Sequence, residues 1–270
     1  MAARILTSLV GLPITIFIVA YGGLPLQIAV CLLALIGMYE FYNALSGGRK
    51  TIHLIGYFFS AFYFGLLHTL NSNLLFILST SLVLTILFFL VFFHAKNNII
   101  DGAIALMGVF YVAFMLSFIY IVRSLPQGHF FVWLIFISAW GSDTGAYFTG
   151  IAVGKHKLCP TLSPKKTVEG SIGGIVFAVA VALIFGYVMN FTYGSNNGLN
   201  MIIALAITTF FAAICSQLGD LSASAIKRFT GIKDFGKLMP GHGGVLDRFD
   251  SIMFTAPIVF LMMVLYERFL

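Results

Sequence analysis

Apolar stretches of about 20 residues recur along the whole chain, and this is the length that a helix needs to cross the hydrocarbon core of a bilayer. Only 9% of the residues are charged, whereas soluble proteins carry roughly 25%. The chain therefore has too few polar side chains to coat a soluble globule. The sequence predicts an all-α integral membrane protein with about nine transmembrane helices, at about residues 4–21, 24–44, 52–70, 73–94, 101–122, 129–152, 170–190, 199–226 and 249–268.

The positions of Lys and Arg predict how these helices are oriented, because cytoplasmic loops of membrane proteins are enriched in both residues. With the N-terminus in the cytoplasm, only Arg123 and Arg268 of the 15 basic residues lie outside. The basic residues placed inside are Arg4, Arg49, Lys50, Lys96, Lys155, Lys157, Lys165, Lys166, Lys227, Arg228, Lys233, Lys237 and Arg248. We therefore expect a cytoplasmic N-terminus, an external C-terminus and two long cytoplasmic loops, 153–169 and 227–248.

Four aspartates lie near the predicted cytoplasmic ends of helices. Asp143 and Asp220 lie near the cytoplasmic ends of the sixth and eighth spans. Asp247 and Asp250 lie where the ninth span begins, and they share a helix face because they are three residues apart. Carboxylates at membrane depth are costly, and clustered carboxylates without a Cys or His ligand set suit a hard cation such as Mg²⁺. The group predicts a cation site, although each Asp alone could simply reach the headgroup layer.

The first long loop predicts phosphate binding. Lys165 and Lys166 lie just before the seventh span, and either Thr167 or Ser171 is placed to cap that helix. Helix N-termini attract phosphate, and lysine adds a flexible positive charge. The alternative is an ordinary positively charged cytoplasmic flank.

The second long loop is denser in charge and glycine. Residues 227–250 hold eight of the 24 charged side chains, which are 15 basic and 9 acidic. Gly243 and Gly244 follow His242, and backbone N–H groups in a glycine run can bind anions. His242 itself stays open between a phosphate donor, a proton carrier and a hydrogen-bonded spacer.

Carboxylates for a cation, together with lysines and glycines for phosphates, predict phosphoryl or nucleotidyl transfer at the cytoplasmic face. No P-loop or dinucleotide-binding glycine pattern is present. The net charge of +6 follows from the cytoplasmic loops, so no nucleic-acid partner is expected.

Residues 224–250, SAIKRFTGIKDFGKLMPGHGGVLDRFD, closely resemble the signature of the phosphatidate cytidylyltransferases, also called CDP-diacylglycerol synthases. That pattern runs S-x-[LIVMF]-K-R, four residues, K-D and a small residue, and closes with H-G-G and D-R-x-D. Met239 departs from it, because Leu, Ile or Phe is usual there. The upstream segments SDTGAYFTG, SPKKTVEG and GDLSASAIKR also look like the family.

The resemblance implies a dimeric enzyme of the bacterial inner membrane that joins CTP and phosphatidic acid into CDP-diacylglycerol and pyrophosphate. It also implies Mg²⁺, with or without a second cation such as K⁺, held by Asp220 and Asp247, a site that Asp143 could complete. We expect catalytic roles for Asp220, Asp247, Asp250, Lys227 and His242. Substrate binding is expected from Ser163, Lys165, Lys166, Thr167, Ser224, Arg228, Lys233, Gly243, Gly244 and Arg248.

Residues 1–128 are expected to form N-terminal transmembrane helices with a scaffolding or dimerising role, and residues 129–270 the catalytic region. Two other classes of protein share some of these features. A transporter could use intramembrane carboxylates, but these crowd near one face and no inverted repeat is evident. A CDP-alcohol phosphotransferase would need D-G-x-x-A-R, whereas no Arg follows Asp101-Gly102.

Overall fold

The computed structural model describes residues 2–46, 51–69, 71–193, 198–238 and 243–269. In these ranges the chain is almost entirely helical, with a single two-stranded hairpin, β1 (Lys157–Cys159) and β2 (Ser163–Thr167). A π-helical segment, Gly108–Phe114, joins α5 to α6 without a break. The α-helices are α1 (Ala2–Tyr21), α2 (Gly23–Ser46), α3 (Thr51–Leu66), α4 (Ser72–Phe92), α5 (Ile99–Met107), α6 (Met115–Ser124), α7 (Gly128–Val153), α8 (Val168–Tyr193), α9 (Gly198–Thr230) and α10 (Leu246–Phe269).

Each predicted apolar segment coincides with helical structure, which confirms an all-α integral membrane protein in outline. Among the described residues, however, six helices are long and apolar enough to cross a membrane: Gly23–Ser46, Ser72–Phe92, Ile99–Ser124, Val168–Phe191, Leu199–Thr230 and Leu246–Tyr266. The apolar part of α1, Gly11–Tyr21, and helix α3 are shorter. Helix α7 is continuous over 26 residues, but the polar sequence GSDTG at residues 141–145 interrupts its apolar sequence. The count of nine spans is therefore not confirmed, and the orientation of the termini stays a prediction.

The chain divides into two compact units. The first contains Met1–Ile121 and Thr230–Arg248, and the second contains Val122–Phe229 and Phe249–Leu270. Most of the second long loop, Thr230–Arg248, thus belongs with the N-terminal helices rather than with the helices on either side of it. The roles expected for residues 1–128 and 129–270 stay predictions.

In the first unit, Tyr42 joins three helical segments. Its buried ring stacks on His53 of α3 with a centroid separation of 4.3 Å, and its hydroxyl donates to the Ala105 carbonyl oxygen of α5 at 2.9 Å. A buried hydroxyl is costly without a partner, so this contact favours one arrangement of the helices. It also fixes the part of α2 that carries Glu40.

The predicted loop over 153–169 contains a β-hairpin in the second unit, which was not predicted from the sequence. Its strands pair antiparallel, with Lys157 opposite Thr167 and Cys159 opposite Ser163. Strands of three and five residues with many polar side chains are too short to show the alternation that marks a strand in sequence. Glu169, in the first turn of α8, fixes the base of the hairpin by accepting the N–H of His156 at 3.2 Å and its ring Nδ1 at 2.6 Å.

Helices α7 and α8 pack closely through small residues. A Cβ atom at Gly174 would lie 2.5 Å from the Ser142 carbonyl oxygen and 3.0 Å from the Ala146 Cβ. A Cβ atom at Gly145 would likewise lie 2.5 Å from the Phe177 Cβ. Glycines at such positions let two membrane helices approach closely, as is common where helices meet in lipid.

Replacing Gly174 by alanine should lower the thermal stability of the protein in detergent. The added methyl group has no room beside the α7 backbone, and overpacking of this kind costs about 1–3 kcal/mol. We expect a fall of several degrees in the apparent Tm. Gly11→Ala is the control, because a Cβ atom there meets nothing within 4 Å. Equal Tm values for the two variants would contradict the close packing.

Candidate active site

Three carboxylates and two lysines interact in the second unit. Asp220 of α9 forms an ion pair with Lys166 of β2. Asp250 of α10 is 7% exposed and interacts electrostatically with Asp220, Asp143 and Lys227. The structure thus brings together five of the residues expected to carry the chemistry.

A cavity of about 340 Å³ lies beside this cluster. Its polar lining includes Asp143, Lys165, Lys166, Thr167, Ser171 and Gln217. Its apolar lining includes Ala146, Tyr147, Ile151 and Leu158. A cavity with cationic and apolar sides suits a ligand that has both anionic and apolar parts.

Gln217 ties three helices together at the cavity. Its Nε2 donates to the Ser142 Oγ of α7 at 3.1 Å and to the Ser171 carbonyl oxygen of α8 at 3.0 Å, and its Oε1 accepts from the Ser171 hydroxyl. These three bonds fix the orientation of the amide. Gln217 was not among the expected site residues, although a polar residue inside an apolar span is a signal of function.

Thr167 is the N-cap of α8. Its Oγ1 accepts the N–H of Gly170 at 3.1 Å, three residues further along. This is the usual capping geometry, and it confirms Thr167 rather than Ser171 among the two expected caps. Because Thr167 ends β2, the cap also fixes the strand that presents Lys165 and Lys166 to the cavity.

In the first unit, the second long loop (227–248), called the glycine loop, binds two carboxylates through its backbone N–H groups. Asp247 Oδ2 accepts the N–H of Phe235 at 2.8 Å and that of Gly244 at 3.0 Å. Glu40 accepts the N–H groups of Val245 and Leu246. The Gly244 N–H, which we expected to be available for phosphate, is therefore already bound to Asp247.

The other expected residues differ in setting. Arg228 Nε donates to the Leu162 carbonyl oxygen at 3.4 Å, and Ser163 begins β2. Ser224 is partly buried in α9, whereas Lys233 and Arg248 are exposed. Gly243 has a φ of +84°, a left-handed conformation that favours glycine. His242 lies outside the described residues.

The carboxylates of Asp143, Asp220 and Asp250 in the second unit offer the oxygen ligands that Mg²⁺ prefers. Across the described ranges, no group of three or more His, Cys, Asp and Glu residues is arranged to hold a metal ion. Mg²⁺ is usually bound by one or two carboxylates together with waters and substrate phosphates, rather than by a cage of protein ligands. The residues present therefore fit a cation that binds together with its substrate.

Comparison with known proteins gives the family. The sequence model of the cytidylyltransferase family matches residues 2–266. The chain belongs to the cytidylyltransferase family. It is 35% identical over 272 residues to a phosphatidate cytidylyltransferase of Staphylococcus haemolyticus, covering 98% of this chain and 99% of the relative. It is 34% identical over 271 residues to the protein of that name from Staphylococcus aureus, with the same coverage.

Membership of the cytidylyltransferase family makes the chain an enzyme, a nucleotidyltransferase. The match extends over nearly the whole chain, so the N-terminal helices share in the likeness that the sequence motifs showed only for the C-terminal half. The comparisons give no support to the transporter interpretation.

Proposed function

We propose that this chain is a CTP:phosphatidate cytidylyltransferase, which joins CTP and phosphatidic acid to give CDP-diacylglycerol and pyrophosphate. The observation that carries the proposal is the 34–35% identity, over 98% of the chain, to relatives of that name. We further propose that it acts as a homodimer in a bacterial inner membrane, with its active site on the cytoplasmic side. The excess of Lys and Arg in the loops predicted to be cytoplasmic supports that side.

The reaction needs little covalent help from the protein. A phosphate oxygen of phosphatidic acid attacks the α-phosphorus of CTP in line, a P–O bond forms, and the bond to the pyrophosphate breaks. The attacking phosphate is already anionic, so no strong general base is required. Because both reactants are anions, the main task of the active site is to neutralise charge and to hold the two groups in line.

The second unit offers groups for that task. Lys165 and Lys166 would bind phosphate oxygens at the cavity, and Lys227 adds positive charge beside Asp250. One or two of Asp143, Asp220 and Asp250 would hold Mg²⁺ together with substrate phosphates. A role of Asp247 at the cation rests on the family resemblance alone. When bound, the cation would offset the negative charge of the phosphates in the transition state.

The apolar side of the cavity supports a lipid substrate. Tyr147 and Ile151 are 64% and 69% exposed, so the wall of α7 that they form is accessible to acyl chains from the bilayer. The glycerol backbone would lie between this wall and the lysines of β2. The lipid would then react without leaving the membrane.

The proposal is tested by CTP-dependent formation of a CDP-lipid by the purified full-length protein in mixed micelles. We expect equal amounts of CDP-diacylglycerol and pyrophosphate, no product when diacylglycerol replaces phosphatidic acid, and at least a 100-fold loss of rate when EDTA removes divalent cations. Absence of a CDP-lipid in a protein that remains folded would contradict the proposal. Solute uptake into sealed vesicles without nucleotide would favour the transporter.

A further inference from the structure

Glu40 is a buried carboxylate in the apolar helix α2, and its side chain is bound to the start of the last helix. Glu40 is only 4% exposed. Oε1 accepts the N–H of Val245 at 3.0 Å, and Oε2 accepts the N–H of Leu246 at 2.9 Å. Both N–H groups stand at the N-terminus of α10, where backbone donors have no partner within the helix. Glu40 therefore caps a helix that begins 206 residues further along the chain.

The backbone of the glycine loop leaves room for this carboxylate. A Cβ atom at Gly236 or at Gly244 would collide with the Glu40 carboxylate, and in both cases the three nearest atoms all belong to Glu40. Neither glycine has a positive φ. The structure thus requires glycine at these two positions because any side chain would occupy the space of the Glu40 carboxylate, and not because the backbone conformation is unusual.

The Glu40 carboxylate and that of Asp247 hold one short segment together. Asp247 binds the N–H groups of Phe235 and Gly244, and Glu40 binds the next two N–H groups along the chain. The two carboxylates are close enough to repel each other. The four N–H groups and the N-terminal end of the α10 dipole offset that repulsion.

We propose that Glu40 is a positioning residue for cytidylyl transfer: it holds the first turn of α10 so that Asp247 and Arg248 serve the reaction. This inference rests on the proposed function. Glu40 does not touch substrate in this role, because both of its oxygens are taken up by backbone N–H groups. Removal of the Glu40 carboxylate would lower the fraction of molecules in which the glycine loop and the first turn of α10 are correctly placed.

Replacing Glu40 by glutamine is the sharpest single change. The carboxamide has one acceptor oxygen, and its NH₂ group faces a second N–H donor, so one of the two bonds is lost and replaced by a donor–donor contact. If only a small share of the molecules keeps the productive arrangement, kcat falls in proportion. We expect a 10- to 100-fold lower kcat, with the KM for CTP changed less than threefold.

The matched control is Asp101→Asn. Asp101 is also 4% exposed, also lies in the first unit and also caps a helix, since its Oδ2 accepts the N–H of Asn98 at 2.9 Å at the start of α5. Both variants remove one buried capping charge, but only Glu40→Gln affects α10. We expect Asp101→Asn to keep kcat within threefold of the unchanged protein.

Amide hydrogen exchange of the segment 243–249 separates positioning from loss of fold. In the folded, monodisperse fraction of Glu40→Gln, we expect exchange at Val245 and Leu246 to be at least tenfold faster, and that of α4 to be unchanged. A kcat that falls only as far as the folded fraction falls, with normal exchange in this segment, would overturn the proposal. Hydrogen exchange is measured without substrate, so it reports on the Glu40 contacts whether or not the protein is active. If the unchanged protein forms no CDP-lipid, that result contradicts the proposed function and not the Glu40 contacts.

A double-mutant cycle with Gly236 tests the same contact from the other side. Gly236→Ala should lower kcat by a similar 10- to 100-fold, because its methyl group displaces the carboxylate. Glu40→Ala combined with Gly236→Ala should be within threefold of Glu40→Ala alone, since the collision then has no partner. Gly65→Ala, where a Cβ atom meets nothing within 4 Å, should leave kcat unchanged. Additive losses in the cycle would overturn the proposal.

Discussion

Asp220→Asn is expected to reduce CTP-dependent formation of CDP-diacylglycerol by at least about 10³-fold. Asp220 is paired with Lys166 and interacts with Asp250, so its charge lies at the centre of the cluster. A divalent cation stabilises a phosphoryl-transfer transition state by several kcal/mol, and each 1.36 kcal/mol corresponds to a factor of ten in rate. Asparagine keeps the shape of the side chain but cannot supply the negative charge.

The measurement is the initial rate with labelled CTP and phosphatidic acid in mixed micelles, over a range of Mg²⁺ concentrations. Asp220→Glu keeps the charge and should retain part of the activity, while Asp101→Asn should remain within threefold of the unchanged protein. The apparent Tm of each variant checks that it is folded. A rate for Asp220→Asn within threefold of the unchanged protein at every Mg²⁺ concentration would exclude Asp220 from the cation site.

Lys166→Met is expected to lower kcat/KM for CTP by about 10²- to 10³-fold, the loss typical when a group that stabilises developing charge is removed. Lys166 lines the cavity and is paired with Asp220. Without it, two anionic reactants meet beside a carboxylate that has lost its counter-charge. Lys166→Arg should recover part of the rate, because the positive charge is kept while its shape changes.

The matched control is Lys157→Met in the neighbouring strand β1, where we expect less than a threefold change because Lys157 is not among the residues that line the cavity. The double variant Lys166→Met with Asp220→Asn separates two roles for the pair. If the ion pair only stabilised the fold, removing both charges together would largely restore activity. We expect the double variant to be as inactive as Asp220→Asn, and recovery would show that neither residue acts on the reactants.

The helices could be predicted from the sequence because their signal is local. A run of about 20 apolar residues has few alternatives to a helix in a membrane, since every backbone polar group must be paired within the segment. The cap of α8 could be narrowed to Thr167 or Ser171 for the same reason, because a capping side chain binds an N–H only about three residues away, as Thr167 does at Gly170. The hairpin was not, because strands of three and five residues leave no pattern to read.

The candidate site could be predicted only in part, because its contacts are not local. Asp220 and Asp250 were expected from their places at helix ends, and Lys166 from its loop. The role of Glu40 could not be found, because its partners Val245 and Leu246 contribute backbone N–H groups, which carry no sequence signal. For the same reason, the sequence could not reveal that the Gly244 N–H was already bound to Asp247.

The discontinuous first unit affects how the protein is made. Its two parts, Met1–Ile121 and Thr230–Arg248, leave the ribosome at different times. Glu40 and Val245 are separated by 205 residues, which take roughly 10 to 40 s to synthesise at the usual rate of translation. Throughout that interval, the nascent chain holds an acidic side chain in an apolar helix before its final donors exist. A stop codon ahead of Val245 would therefore damage the N-terminal unit as well as remove the last helix.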